Sequence, residues 1–161
     1  MTKIVSIFLL LAFLLGGWFN HSNEGDSAQY EGKYRGAFTM NEEQIATGDM
    51  EFFSNPMEQN GLMMYLLPMS YESNGRFEAS CQDVSLLRNI ILNMIGENPH
   101  VTENMKYVSS IDVVSQFSDN QVNTTFYFII DSNMQDSISN WQIDFVGTKV
   151  VEEPNEDVAS N

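Results

Sequence analysis

The sequence predicts a mainly β fold, a single antiparallel β-barrel with one amphipathic helix inserted midway, and three observations carry that prediction. Apolar and polar residues alternate at a two-residue period through most of the chain between Tyr30 and Val151. Turn signals such as Asn60-Gly61, Ser73-Asn74-Gly75 and Ser118-Asp119-Asn120 separate those stretches at hairpin length. One segment near Ile90 changes to a helical period instead.

From Tyr30 to Met40 the even positions are Tyr30, Gly32, Tyr34, Gly36, Phe38 and Met40, opposite Glu31, Lys33 and Arg35. This reads as a strand with one buried face, and its two glycines on the apolar side as places where a small barrel curves. A shorter strand is expected over Asp49 to Ser54. Asn60-Gly61 then turns the chain into the apolar stretch Leu62 to Leu67, where Pro68 marks an edge or a bulge. Ser73-Asn74-Gly75 reads as the tip of a hairpin returning through Arg76 to Cys81, with Phe77, Ala79 and Cys81 on one face.

The helical stripe comprises Val84, Leu87, Ile91 and Met94 with Leu86, Ile90 and Ile95. Asp83 is placed to cap its start, and Gly96 followed by Pro99 to stop it. Strands resume over Met105 to Ser115, with Tyr107, Ile111 and Val113 on one face. They continue over Val122 to Asp131, with Val122, Thr124, Phe126, Phe128 and Ile130 together. The last strand points Trp141, Ile143 and Phe145 inward and passes a bulge at Gly147 before Val150 and Val151. About seven strands with hairpin-length connections suit a barrel or a sandwich, and the long run of sequential hairpins favours the barrel.

Outside this domain of residues 30–151 the pattern is different. Lys3, the apolar run Ile4 to Leu15 and Gly16-Gly17 have the layout of a secretory signal peptide over residues 1–17. Residues 18–29 read as a flexible polar tether and the acidic stretch 152–161 as a disordered tail. A second fate for Ile4 to Phe19 is an uncleaved membrane anchor, the only form of membrane attachment expected, although the run is shorter than the roughly 20 residues of a spanning helix. A lipid-bearing cysteine would follow Leu15-Gly16-Gly17 in a bacterial lipoprotein, and Trp18 stands there instead.

The chain of 161 residues has 7 basic and 22 acidic side chains. Loss of the first seventeen residues removes Lys3 and no acid, leaving 6 basic against 22 acidic residues and a net charge of −16. Such a charge excludes nucleic acid as a partner. Cys81 is the single cysteine, so no intramolecular disulfide forms, and stability must come from packing of 11 Phe, 6 Tyr and 2 Trp with β-branched neighbours. The acids read as a solvated face.

The motif Tyr30-x-Gly-x-Tyr-x-Gly-x-Phe38, the helix Val84 to Ile95 placed midway and the strand-rich second half resemble the calycin-like lipoproteins of Bacteroides-type bacteria. The resemblance spans roughly Tyr30 to Val151 and departs from that family at Trp18. It implies a lipocalin-like barrel, and together with the signal layout of residues 1–17 the expected location is the periplasm or cell surface of a Gram-negative bacterium. It implies no activity, and no functional residue carries over.

Catalytic chemistry is sparse. Of the two imidazoles, His21 lies in the tether and His100 follows Pro99 in an expected loop, so neither is held against a serine. Cys81 is expected inside, where burial makes a thiol a poor nucleophile. Asp49 and Glu51 share one face of a strand and are the acid pair worth naming, with an exterior polar face as their expected role. Asp131-Ser132-Asn133-Met134-Gln135-Asp136 begins like a calcium loop and then lacks the glycine and the final glutamate. Met57, Met63, Met64 and Met69 read as gap-filling core residues more than as a soft-metal site. Asp26-Ser27-Ala28 and Asp136-Ser137-Ile138 match a short O-glycosylation pattern, the first of them in the accessible tether.

The expectation is therefore a non-enzymatic exported binding module without cofactor or metal. Its ligand would be a small apolar molecule in the barrel, with Tyr34, Phe38, Leu87, Ile91, Phe126, Phe128 and Trp141 lining the interior or mouth. The alternative is a surface-acting interaction protein, an inhibitor or accessory subunit of an envelope complex, built on a filled barrel whose exposed apolar patch comes from Leu62 to Tyr71.

Overall fold

A computed structural model describes residues 27–96, 98–131, 133 and 141–151. Eight antiparallel strands form a closed barrel in sequence order, with the last strand paired to the first. They are β1 (Gly32–Met40), β2 (Glu43–Ser54), β3 (Leu62–Met64), β4 (Leu67–Ser73), β5 (Arg76–Cys81), β6 (Val108–Ser118), β7 (Gln121–Ile130) and β8 (Trp141–Lys149). The helix α1 (Val84–Ile95) and the short helix α2 (Pro99–Asn104) lie between β5 and β6, and a 3-10 turn over Ala28–Tyr30 leads into β1. The signal, most of the tether and the acidic tail lie outside the described residues.

Alternation dictates the interior. On β7 the inward residues Val122, Thr124, Phe126, Phe128 and Ile130 are all buried, and on β8 Ile143 and Phe145 are. Rings fill the end at which the chain enters. Phe117 lies 4.9 Å from both Tyr30 and Phe52 and 5.6 Å from both Tyr34 and Phe77, mostly edge-to-face. The other end is covered by α1, which packs on β2 and on β6. Those strands stand four places apart in a ring of eight, so a helix touching both crosses the mouth.

The helix has the expected ends. Asp83 accepts a hydrogen bond from the Leu86 N–H, and the Gly96 N–H closes on the Leu92 carbonyl. Leu87 and Ile91 are its buried contacts with the core. Pro99, expected only to end this helix, begins α2, since a first-turn residue needs no N–H. His100 is therefore helical, not in a loop.

Several boundaries differ from the sequence expectation. Tyr30 belongs to the 3-10 turn before β1, and Ser27 is buried at its start, so the end of the expected tether is part of the folded body. Strand β2 begins at Glu43, six residues early, because the Asn41-Glu42 turn returns the chain directly. The stretch beginning at Leu62 is two strands joined at Tyr65-Leu66, with Tyr65 at φ 54°. Pro68 lies inside β4 opposite Met63, and the β4–β5 register starts beyond it at Ser70↔Glu78, where the missing N–H costs no ladder bond. Residues 105–107 form a 3-10 turn, and β6 starts at Val108.

Barrel closure runs through glycine. Gly36 pairs with Gly48 on one side and Gly147 on the other. A Cβ on Gly36 would stand 1.9 Å from the Val146 carbonyl oxygen, so the glycine serves close backbone approach more than bending. The expected bulge at Gly147 is absent, because its register runs unbroken to both neighbours. The shift in this region falls between Phe38 and Thr39.

Candidate binding surfaces

Tyr34, Phe38, Phe126 and Phe128 point inward from β1 and β7 with at most 1% exposure, as do Leu87 and Ile91 beneath α1. A side chain without accessible surface touches neither solvent nor a void the size of water, so these residues are packed against one another and their neighbours. Phe38 meets Phe145 at 4.7 Å. Tyr34 sits in the ring cluster at the entry end, away from α1, and its hydroxyl donates to the Tyr30 carbonyl at 3.0 Å. Burial pushes that hydroxyl up to about 12. The structure thus separates Tyr34 from the other expected mouth residues.

Phe128 and Trp141 come together at the α1 end. They are register partners on β7 and β8, and their rings stack at 3.7 Å with planes 10° apart. Trp141 is only half-buried. Beside it a concavity of about 380 Å³ opens where β8 runs past the end of its pairing with β1. Asn41 and Glu42 of the β1–β2 turn border it, with Tyr127, Gln142 and Asp144 from the outer wall. Sequence reasoning found the two rings but did not bring the β1–β2 turn beside them, because that juxtaposition depends on barrel closure, which local sequence does not specify.

On the opposite wall three apolar side chains form a cross-strand row. Phe53 pairs with Met63, and Met63 with Pro68. All three face outward, and Leu66 extends the row two residues before Pro68 along the β3–β4 connection. Phe53 is 51% exposed and Leu66 67%. Met64 and Met69 fill the core as expected, whereas Met57 in the β2–β3 turn is 93% exposed and fills nothing. Met63 and Met64 do point to opposite faces.

The acid pair on β2 is held by cations. Arg35 grips Asp49 through two bonds of 2.8 and 3.0 Å, and Lys33 lies 3.2 Å from Glu51. The bidentate Arg35 bond is the main reason the Asp49 carboxyl titrates below its ordinary range. These cross-strand pairs make an exterior polar face. Cys81 is buried, with its thiol donating to the Asp83 carbonyl. No group of three or more His, Cys, Asp or Glu side chains able to hold a metal occurs among the described residues. Asp131 caps the Asn133 N–H within a local turn, while the rest of the calcium-like segment and the second glycosylation triplet lie outside the described residues.

No protein-family model, curated protein or solved structure matches the chain. Among the described residues no helix is long and apolar enough to cross a membrane.

Proposed function

We propose that the protein is an exported, non-catalytic interaction module that engages a protein partner through the outside of a filled barrel. One observation carries this reading above the small-ligand alternative: Tyr34, Phe38 and Phe128, expected to line a cavity, have no accessible surface at all. An eight-strand barrel is narrow enough for side chains to fill, and here aromatic rings and the cross-lying helix supply the filling. The apolar row of Phe53, Met63, Pro68 and Leu66 is the docking face. Export is supported by Lys3 and the apolar run Ile4 to Leu15. The sequential meander and midway helix support placing the chain with the calycin-like barrels.

Charge argues for a partner other than a second copy: a net charge of −16 on each exported chain opposes self-association, whereas it draws in a protein with a basic rim around an apolar contact. The test places a photo-cross-linking residue at Leu66 of the full chain in its native envelope. The expected result is one dominant adduct of defined mass, lost on Phe53→Ser while the melting temperature holds. Absence of an adduct at Leu66, or an adduct indifferent to Phe53→Ser, overturns the docking face.

A further inference from the structure

One strand of the barrel is paired along only part of one edge. Strand β3 covers Phe52, Phe53 and Ser54 of β2, so among the described residues 43–51 have β1 as their strand neighbour and none on the other side. Burial shows the gap. The inward positions Met50 and Phe52 are buried, whereas Ala46 and Gly48, in line with them, are only partly so. Helix α1 stands across the opening without supplying a strand. A concavity of about 410 Å³ lies between Gly48 and Asp49 of β2 and Ile90, Asn93 and Met94 of α1, and Tyr65 also borders it.

Parity decides which peptide groups face that opening. In an antiparallel ladder the N–H and C=O of one residue point to the same neighbour, and the direction alternates along the strand. On β2 the odd-numbered residues point away from β1. Asn55, directly after the strand, donates its N–H to the Gly61 carbonyl at 2.9 Å, and the Asp49 carbonyl accepts from the Tyr65 hydroxyl at 3.1 Å. The register with β1 is unbroken from Ala46 to Phe52, so Thr47 has the same direction as Asp49. Among the described residues, the Thr47 N–H and C=O and the Asp49 N–H have no hydrogen-bond partner.

Donors and acceptors alternating at strand spacing are met by the backbone of an extended peptide, which supplies both in the same alternation. A lone ion meets one kind and leaves the other. Ile90 and Met94, one helical turn apart on α1, give an apolar side chain of such a peptide a place beside the edge, next to the Tyr65 ring. Charge then selects among peptides, because the exported chain carries −16 and Glu42 and Glu43 stand exposed where β2 begins. We propose that the free edge of β2 takes an extended, basic segment of a partner protein as an added strand, bound through the main-chain groups of Thr47 and Asp49. The inference rests on backbone groups and does not need the apolar row, whose members are outward side chains.

Thr47 supplies a separating variant. Its N–H makes no ladder bond and its side chain is exposed, so Thr47→Pro removes an edge donor while the bonds to β1 remain. Thr47→Val alters the side chain and keeps the N–H.

The experiment titrates the full chain by calorimetry with the peptide Lys-Val-Lys-Leu-Lys-Val-Lys, with its acidic counterpart Glu-Val-Glu-Leu-Glu-Val-Glu, and with the basic peptide N-methylated along its backbone. Amide exchange is followed at Thr47 and Asp49. The expected result is saturable binding of the basic peptide with slowed exchange at both amides. Affinity should fall at least tenfold on N-methylation and on Thr47→Pro, as loss of one or two hydrogen bonds implies, and should hold on Thr47→Val. The N-methylated peptide makes the comparison on the unaltered chain, at the same peptide charge. No saturation by the basic peptide overturns the proposal, as does binding that survives N-methylation or Thr47→Pro, or equal affinity for the acidic peptide. A dimer at sedimentation equilibrium that Thr47→Pro disperses gives the edge to a second copy and overturns it too. None of these outcomes bears on cross-linking at Leu66, so the two proposals fail separately.

Discussion

The hydroxyls of Ser115 on β6 and Thr124 on β7 meet at 2.8 Å inside the barrel, as a register pair with both residues buried. In an interior made mostly of rings, aliphatic chains and methionines, each hydroxyl is the other's hydrogen-bond partner. Ser115→Ala leaves Thr124 buried and unpaired, and should cost about 1–3 kcal/mol. The double replacement Ser115→Ala with Thr124→Val removes both polar groups at similar shape and should recover much of that loss. Urea unfolding of the three variants checks the order. A double variant less stable than the sum of the two singles contradicts a mutual bond.

Closure of the barrel should hinge on Gly36. A Cβ there would lie 1.9 Å from the Val146 carbonyl oxygen and 2.6 Å from the Gly147 Cα, both backbone atoms that cannot turn aside. Gly36→Ala must therefore push β1 away from β8, at a cost of at least the ~1–3 kcal/mol typical of overpacking. Amide exchange should speed up first along the pairs Tyr34↔Lys149 to Thr39↔Asp144. Unchanged protection on β8 in that variant would show that the strands do not approach so closely.

How far the fold could be read from the chain depends on which physical signal each segment carries. Val84 to Ile95 has a broad apolar stripe, an Asp83 cap and a Gly96 stop, and its bounds match the helix at both ends. Strand β7 alternates without a break and is equally legible. The missed hairpin at Tyr65-Leu66 uses a tyrosine at positive φ with no glycine or asparagine, so an apolar run conceals two short strands. The first half of β2 has few apolar positions and hides for the opposite reason. For the binding surfaces, the apolar stretch after Leu62 was visible, but its partner Phe53 depends on a register that local sequence does not specify. The seven expected lining residues were correctly apolar, yet period alone does not distinguish a lining from a filling.

Alkaline pH should unfold the protein partly through Tyr34. Burial raises its hydroxyl from 10.0 to about 12, with Tyr30 adding a smaller like-charge effect. The unfolded chain gives up this proton near the lower value and the folded chain near the higher. The stability this group contributes is thus complete below about pH 10 and is lost as pH rises through about 12. Tyr34→Phe should flatten that part of the stability profile, followed by urea midpoints at stepped pH. An identical alkaline slope in wild type and variant would remove Tyr34 from the account.

The central claim is that the barrel interior is a packed core and that function therefore sits on the outside. Xenon titration tests it most directly, because an empty apolar cavity admits xenon without needing any polar contact. The methyl resonances of Ile111, Val113, Val122 and Ile143, all inward and at most 1% exposed, report on the interior. The packed barrel predicts no saturable shift in these methyls as xenon pressure rises. Saturable shifts shared by methyls on β6, β7 and β8 would reveal a hollow centre and return the ligand to the inside.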